Sequence, residues 1–439
     1  MRFRRDVLKL ALVGALAFAA GRFTQNTLPQ NTSNTATTAK TEPTQPVKLG
    51  LQTILTGPGV VIGAPLLKGA QLAVKTINEA GGLLNRKIET VVREESGIDQ
   101  TLKEFRRMAL VENVDYYVGA IESVNTVVLG PEAESLGLLA IFVDGGTESL
   151  FIEKVPRPRA IFRTSNIDTV DAYVTVSAIK HWFRNVERIA AVYPDDVYGQ
   201  LTSEVVEKAV KKLLPSAEVV YTGWPPPFTT DYSIHITSLL GKKPDILIAA
   251  LWGGDFITFY KQAYSYNLFK DVKLVSTYGF SAPPHYYGWD LPEGSIMGAH
   301  ANYYFLYPPW GSRKLNKDFN EAYFKMWNEY PGTHAELAYL STFAIALGVM
   351  KSFQETGEHP DTTQVSRSIE GLGFEAPGGY VHYRSEDHQA VRNPPIGRSK
   401  RLDGWKFPVW DPSDVLALPK ERVVPPPGVR MVKWIEESS

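Results

Sequence analysis

Two short loops carry the residue types best suited to hold a small molecule. The first reads Ala120-Ile121-Glu122-Ser123-Val124-Asn125-Thr126, the second Asp144-Gly145-Gly146-Thr147. Each follows an apolar run, 116–119 and 138–143, of the kind that forms a strand buried on both faces. Hydroxyls at Ser123 and Thr147, a carboxylate at Asp144 and the bare backbone of Gly145 and Gly146 offer several hydrogen bonds in a small space. In open α/β sheets ligands sit outside the carboxyl ends of the strands. Free N–H groups at a helix start in that place favour a carboxylate. These two loops are expected to form half of a small-molecule pocket. Ser and Thr also cap helices wherever they occur; the shared place of both loops at strand ends favours the binding reading.

Other chemistries fit poorly. Gly57, Gly59 and Gly63 follow a strand and precede a helix, but without the Gly-x-Gly-x-x-Gly register of a dinucleotide site. His382, Glu386, Asp387 and His388 lack helical His-Glu-x-x-His spacing and read as a solvated turn rather than a metal cluster. Asp195 and Asp196 are adjacent, so their side chains need not converge. No nucleophile elbow or phosphate loop is present. No catalytic residue, metal or cofactor is expected.

The 439 residues exceed one compact core, which points to two domains. A net charge of −1 offers no basic field for nucleic acid. The chain has no cysteine, which excludes disulfides, thiol catalysis and a lipoprotein anchor. Arg4-Arg5 with Val7-Leu8-Lys9, before the apolar segment 10–20, reads as an export signal of twin-arginine type, over 1–23. Retention of that segment as a membrane tether is the alternative. Residues 24–46, rich in Thr, Asn, Gln and Pro, are expected to be a flexible stalk. The protein is therefore expected outside the cytoplasm, in the periplasm or at the cell surface.

From residue 47 onward, strand and helix patterns alternate, which implies mostly parallel sheets covered on both faces. A second alternating series begins after 161–164. Its strands end in Pro194-Asp195-Asp196-Val197-Tyr198-Gly199, in Trp252-Gly253-Gly254-Asp255 and in Tyr278-Gly279-Phe280. The aromatic run 303–310 reads as packing. The expected division is a first lobe over 47–164, a second over 165–294, a return to the first over 295–378, and completion of the second with a C-terminal extension over 379–439. Repeated crossing makes a hinge, and a hinge closes on ligand.

Several stretches, taken in order, resemble one family. They are Leu55-Thr56-Gly57-Pro58, Gly69-Ala70-Gln71-Leu72-Ala73-Val74, Ile77-Asn78-Glu79-Ala80-Gly81-Gly82, Phe162-Arg163-Thr164-Ser165, Asp196-Val197-Tyr198-Gly199 and Asp387-His388-Gln389. From about 47 to 403 the chain resembles the solute-binding proteins of branched-chain amino-acid-type ABC transporters, with the type I periplasmic-binding fold. The resemblance implies an α/β, two-lobed protein, each lobe a mostly parallel sheet flanked by helices, joined by a multi-crossover hinge. It implies that Ser123 binds a ligand carboxylate, that residues 144–147 contact carboxylate and amine, that Tyr198 closes over the ligand, and that Trp252 lies beside it. It also places Tyr278 where the family holds an acid for the ligand ammonium, and Ile62 where an aromatic is often found. With that acid missing, Asp144, Asp255 or Glu122 could take its place, Asp144 being favoured; otherwise the ligand lacks an amine. The expected function is capture of an amino acid or related small carboxylate or amide, followed by docking on permease subunits. A sensor module for a separate signalling partner and a cleft hydrolase or amidase are the alternatives.

Overall fold

The computed structural model describes residues 45–301, 305–306 and 314–438. The export signal, all but the last two residues of the stalk, and most of the aromatic run 303–310 lie outside the described residues. The first series runs β1 (Val47–Thr53), α1 (Val60–Glu79), β2 (Ile88–Glu94), α2 (Ile98–Leu110), β3 (Tyr116–Gly119), α3 (Ser123–Leu136), β4 (Leu139–Phe142) and β5 (Ile161–Arg163). The second runs α4 (Asp168–Trp182), β6 (Arg188–Val192), α5 (Val197–Leu213), β7 (Glu218–Gly223), α6 (Ser233–Lys242), β8 (Ile246–Ala249), α7 (Gly253–Ser265), β9 (Lys273–Ser276) and β10 (Ile296–Gly298). Helices α8 (Lys314–Trp327), α9 (Thr333–Thr356) and α10 (Thr362–Ile369) follow. After them come β11 (Gly373–Ala376), β12 (Gly379–Tyr383), β13 (Ala390–Val391), β14 (Pro395–Lys400), β15 (Val409–Ala417) and α11 (Met431–Glu437).

The first sheet is parallel throughout, in the order β2-β1-β3-β4-β5. The second has the order β15-β14-β10-β9-β8-β6-β7. Its part β7-β6-β8-β9-β10 is parallel and repeats the winding of the first sheet, while β14 and β15 add antiparallel. Strands β3, β4 and β8 are buried along their whole length, as their unbroken apolar sequences require. In both sheets the winding reverses beside the first strand, so the loops after β1, β3, β6 and β8 open into one crevice. Helix α9 lies along α1 and is buried almost all round, which explains why its apolar residues form no single stripe.

The chain crosses between the two bodies at 164–167, between β10 and α8, and at 392–394. Arg163, almost fully buried, ties the first crossing together. It donates to Gln389 Oε1 at 2.7 Å and to the carbonyls of Gly145 and Thr147 at 2.9 and 2.5 Å. Gln389 in turn donates to the carbonyl of Ser165 at 2.7 Å. His388 stacks on Phe162 with centroids 4.1 Å apart. Asp387 is paired with Arg384, and both Asp387 and His388 are buried. Of the solvated turn expected at 382–388, Glu386 is exposed and His382 half-buried, while Asp387 and His388 pack into the hinge, where β5 supplies an aromatic ring and a carbonyl to cover His388. The proline-rich C-terminal stretch returns across the same hinge. Arg430 pairs with Glu148 of the first body at 3.1 Å, the N–H of Met431 donates to the same carboxylate at 3.0 Å, and Trp434 packs edge-on against Tyr173 of the second.

Candidate ligand-binding site

A cavity of roughly 150 Å³ lies between the bodies. One wall comes from Ile62 on α1, from Ile121, Glu122, Ser123 and Val124 at the start of α3, and from Asp144 after β4. The opposite wall comes from Asp196 and Tyr198 at the start of α5, Pro227, Trp252 before α7, and Tyr278 after β9. Asp168, the first residue of α4, together with Ser281 and His334, completes the lining. The lobes are closed on one another. Ser123 Oγ donates to Asp168 Oδ2 at 3.1 Å, and a β-carbon added to Gly254 would stand 2.5 Å from the carbonyl oxygen of Pro58.

Five of the eight residues expected at the site line this cavity: Ser123, Asp144, Tyr198, Trp252 and Tyr278. Gly145, Gly146 and Thr147 stand behind it. The carbonyls of Gly145 and Thr147 accept from Arg163, which turns that loop toward the hinge. Gly146 has a different task. Its carbonyl accepts the N–H of Asp168 at 2.9 Å, and a β-carbon there would stand 2.2 Å from Asp168 Oδ1. Only glycine leaves room for that carboxylate.

Asp144 is not a vacant partner for a ligand ammonium. His300 Nε2 reaches its Oδ1 at 2.6 Å, and His334 Nε2 reaches its Oδ2 at 2.6 Å. His300 Nδ1 reaches Asp171 Oδ2 at 2.6 Å. His300 has a backbone φ of 55°, in the left-handed region that a non-glycine residue adopts only when its surroundings hold it there. Burial disfavours both charges. The His300 charge and hydrogen bonds from both histidines nevertheless hold Asp144 well below the usual carboxylate range. Burial likewise opposes the His300 charge, yet Asp144 and Asp171 raise it to about 10. Asp144, Asp168 and His300 bring potential metal-binding atoms within 4.8 Å of one another. Both ring nitrogens of His300 already face a carboxylate oxygen at 2.6 Å, the arrangement of an ion-pair network.

Tyr278 stands against an acid from another element. The Tyr278 hydroxyl donates to Asp168 Oδ1 at 2.5 Å, and the Tyr278 ring stacks on Tyr198 with centroids 5.1 Å apart. Burial, with Asp144 nearby, pushes Asp168 up to about 6 despite the His300 charge. Burial also raises Glu122 to about 7, helped by Asp196, and Asp196 itself to about 6. Of the other two acids considered, Glu122 lines the cavity. Asp255 does not: it accepts the Phe228 N–H at 2.7 Å behind Trp252.

Ser123 and Val124, the first two residues of α3, line the cavity, and the turn just before them is held from below. Glu95, which follows β2, is buried beneath it and accepts the N–H of Ile121 at 2.8 Å and of Glu122 at 2.9 Å. Burial, then the Glu122 charge, pushes Glu95 up to about 8. Asp168, His300 and His334 escaped the sequence reading. Asp168 looks like an ordinary acid in a first helical turn, His300 stands next to the aromatic run, and His334 opens a core helix. The one available signal was the place of Asp168 directly after the Phe162-Arg163-Thr164-Ser165 crossover.

A family model described as periplasmic binding protein matches residues 46–403. The chain belongs to this family, as a solute-binding protein of the branched-chain amino-acid type with the type I fold. Leu/Ile/Val-binding protein homolog 7 of Brucella melitensis is 24% identical over 357 residues, 79% of this chain and 86% of the relative. A solute-binding protein of an ABC transporter from Rhodopseudomonas palustris, solved with 3,4-dihydroxybenzoic acid, superposes with a TM-score of 0.72 at 19% identity, covering 83% of this chain and 96% of the other. A leucine-binding protein from Thermotoga maritima gives 0.70 at 17%, covering 85% and 99%. These two likenesses establish the shared fold. The family's members are solute-binding proteins rather than enzymes, and they work outside the cytoplasm.

Proposed function

We propose that this protein captures an amino acid or a related small amide or carboxylate in the interlobe cavity and delivers it to the permease subunits of an ABC importer. One observation carries the reading: the cavity takes its lining from both lobes, so only the closed form completes it. A solute that contacts both walls favours the closed form by its differential affinity for the two states. Capture needs no covalent step, only aromatic enclosure by Tyr198, Trp252 and Tyr278 and polar contacts near Ser123 and Asp168.

Thermal unfolding of residues 45–439 against pools of amino acids, amides and amine-free carboxylates tests it. A pool member at about a hundred times its dissociation constant should add about 2.7 kcal/mol. A raised midpoint with one pool supports capture, and unchanged midpoints with all three count against it.

Closure also predicts a role for Gly254. Gly254→Ala puts a methyl group against the Pro58 carbonyl, and backbone cannot swing aside as a flexible side chain would. The start of α7 then stands off from the loop before α1. The variant is expected to bind the solute about tenfold more weakly, a difference of about 1.4 kcal/mol, while the ligand-free protein keeps its unfolding midpoint. Equal affinities by titration calorimetry would show that the contact has no part in closure.

A further inference from the structure

We propose that the captured solute presents a positively charged nitrogen, an ammonium or amidinium, to this cavity and carries no free carboxylate. This rests on the capture reading above and narrows it to one charge class.

Three independent features point the same way. The lining includes four carboxylates, Glu122, Asp144, Asp168 and Asp196, and no lysine or arginine among the described residues. The two histidines nearest the cavity are committed to Asp144, with His300 also held by Asp171. An anionic solute would therefore meet carboxylates with no free cation to offset them. Second, part of the donor capacity just before α3 and at the Ser123 side chain is already given to acids. Glu95 takes the N–H groups of Ile121 and Glu122, and the Ser123 hydroxyl donates to Asp168. Third, the wall facing these acids is aromatic. Tyr198 and Tyr278 are stacked within 23° of parallel and Trp252 stands beside them, and ring faces attract cations.

Asp168 is the group that would meet the nitrogen. Each of its oxygens already accepts one hydroxyl, from Ser123 or from Tyr278, but a carboxylate oxygen accepts two hydrogen bonds. Those hydroxyls fix its orientation, and Gly146 gives it the space to approach. Asp196 and Glu122 lie on the two walls and would share the charge. The groups around Asp168 that bear on its titration are His300, Asp144 and Asp171 on one side, Arg163 behind, and the hydroxyls of Tyr278 and Tyr198 in front. Burial, with Asp144 beside it, leaves Asp168 partly protonated near pH 6. A cation favours the ionised form, so its binding expels protons and weakens on acidification. An anion would show the opposite sign.

Titration calorimetry on residues 45–439 with four charge-sorted probe sets at pH 7.5 and 5.5 tests the proposal. The sets are carboxylate-free amines (valinamide, benzylamine, benzamidine), zwitterions (valine, phenylalanine), neutral amides (isobutyramide, benzamide) and carboxylates (isobutyrate, benzoate). The tightest binding is expected from the amine set, with affinity falling severalfold from pH 7.5 to 5.5. Asp168→Asn is expected to lose at least tenfold in affinity. Asp196→Asn keeps a side chain able to cap α5, serves as the variant least disturbing to the fold, and is expected to lose severalfold. Tightest binding from zwitterions, neutral amides or carboxylates, or affinity that rises on acidification, overturns the charge assignment and leaves capture standing. Binding by amines that neither substitution weakens overturns the role of the acids. No heat from any set at millimolar concentration overturns the capture reading, and this inference with it.

Discussion

Asp144→Ala is expected to lower the stability of the ligand-free protein by about 3–5 kcal/mol, the usual loss when one member of a buried ion pair is removed. Asp144 is 5% exposed and His300 2%, so water cannot take over the lost contacts. The substitution strips His300 Nε2 and His334 Nε2 of their carboxylate at one stroke. His334 opens α9 of the first lobe, while His300 follows β10 of the second sheet. The loss therefore unties a junction between the lobes and does not merely open a small void. The pair itself need not be strongly stabilising, since desolvation of both ions offsets much of their attraction. The large cost comes from stranding the histidines. Asp144→Asn, which keeps the shape and one acceptor oxygen, should lose less than Asp144→Ala. Urea denaturation of both variants measures this, and a loss below about 1 kcal/mol for the alanine would mean the network contributes no more than an ordinary hydrogen bond.

The ligand-free protein is expected to grow less stable as pH rises from about 5 to 8, by at least about 2 kcal/mol, since each unit of displaced pKa is worth about 1.4 kcal/mol. The sign follows from the buried acids. Asp168 and Asp196 are raised to about 6, Glu122 and Asp255 to about 7, and Glu95 to about 8, in every case first by burial. In that range the folded chain holds protons that the unfolded chain has released. Stability from each such group is complete below its unfolded value and is lost as pH climbs through its folded value. His300, raised to about 10, acts in the same direction. Asp144 acts oppositely, but its contribution is lost only as pH falls below the ordinary aspartate value, outside this window. Melting curves across the interval test the sign, and stability that is flat or rises toward pH 8 would contradict it. A cationic solute should restore most stability at the alkaline end, where the acids are ionised and repel one another.

The alternating strands and helices and the two lobes were legible because they rest on local signals. Uniform apolar runs mark β3, β4 and β8, and polar turns follow them. The cavity's chemistry was less legible because long-range pairing decides it. Asp144 was visible as a carboxylate at a strand end, but its two histidines come from positions 300 and 334. Tyr278 was visible as a departure from an acidic pattern. That its hydroxyl would hold an acid from position 168 depends on the hinge folding α4 beneath β9. Likewise Glu95 reaches the start of α3 only through the neighbouring strands β2 and β1. The glycines at 145 and 146 were read as ligand contacts; their lack of side chains gives room to Thr126 and to Asp168, respectively.

The central claim is that a solute draws two lobes together over one cavity. Because the chain has no cysteine, Lys103→Cys on α2 and Lys261→Cys on α7 introduce two unique thiols at exposed positions, one on each lobe. Spin labels at these sites, read by double electron–electron resonance, report the distance between the lobes. The account predicts a broad distribution without solute that collapses, at saturation with a solute shown to bind by calorimetry, to the single separation of the closed structure. An identical distribution with and without that bound solute would contradict it.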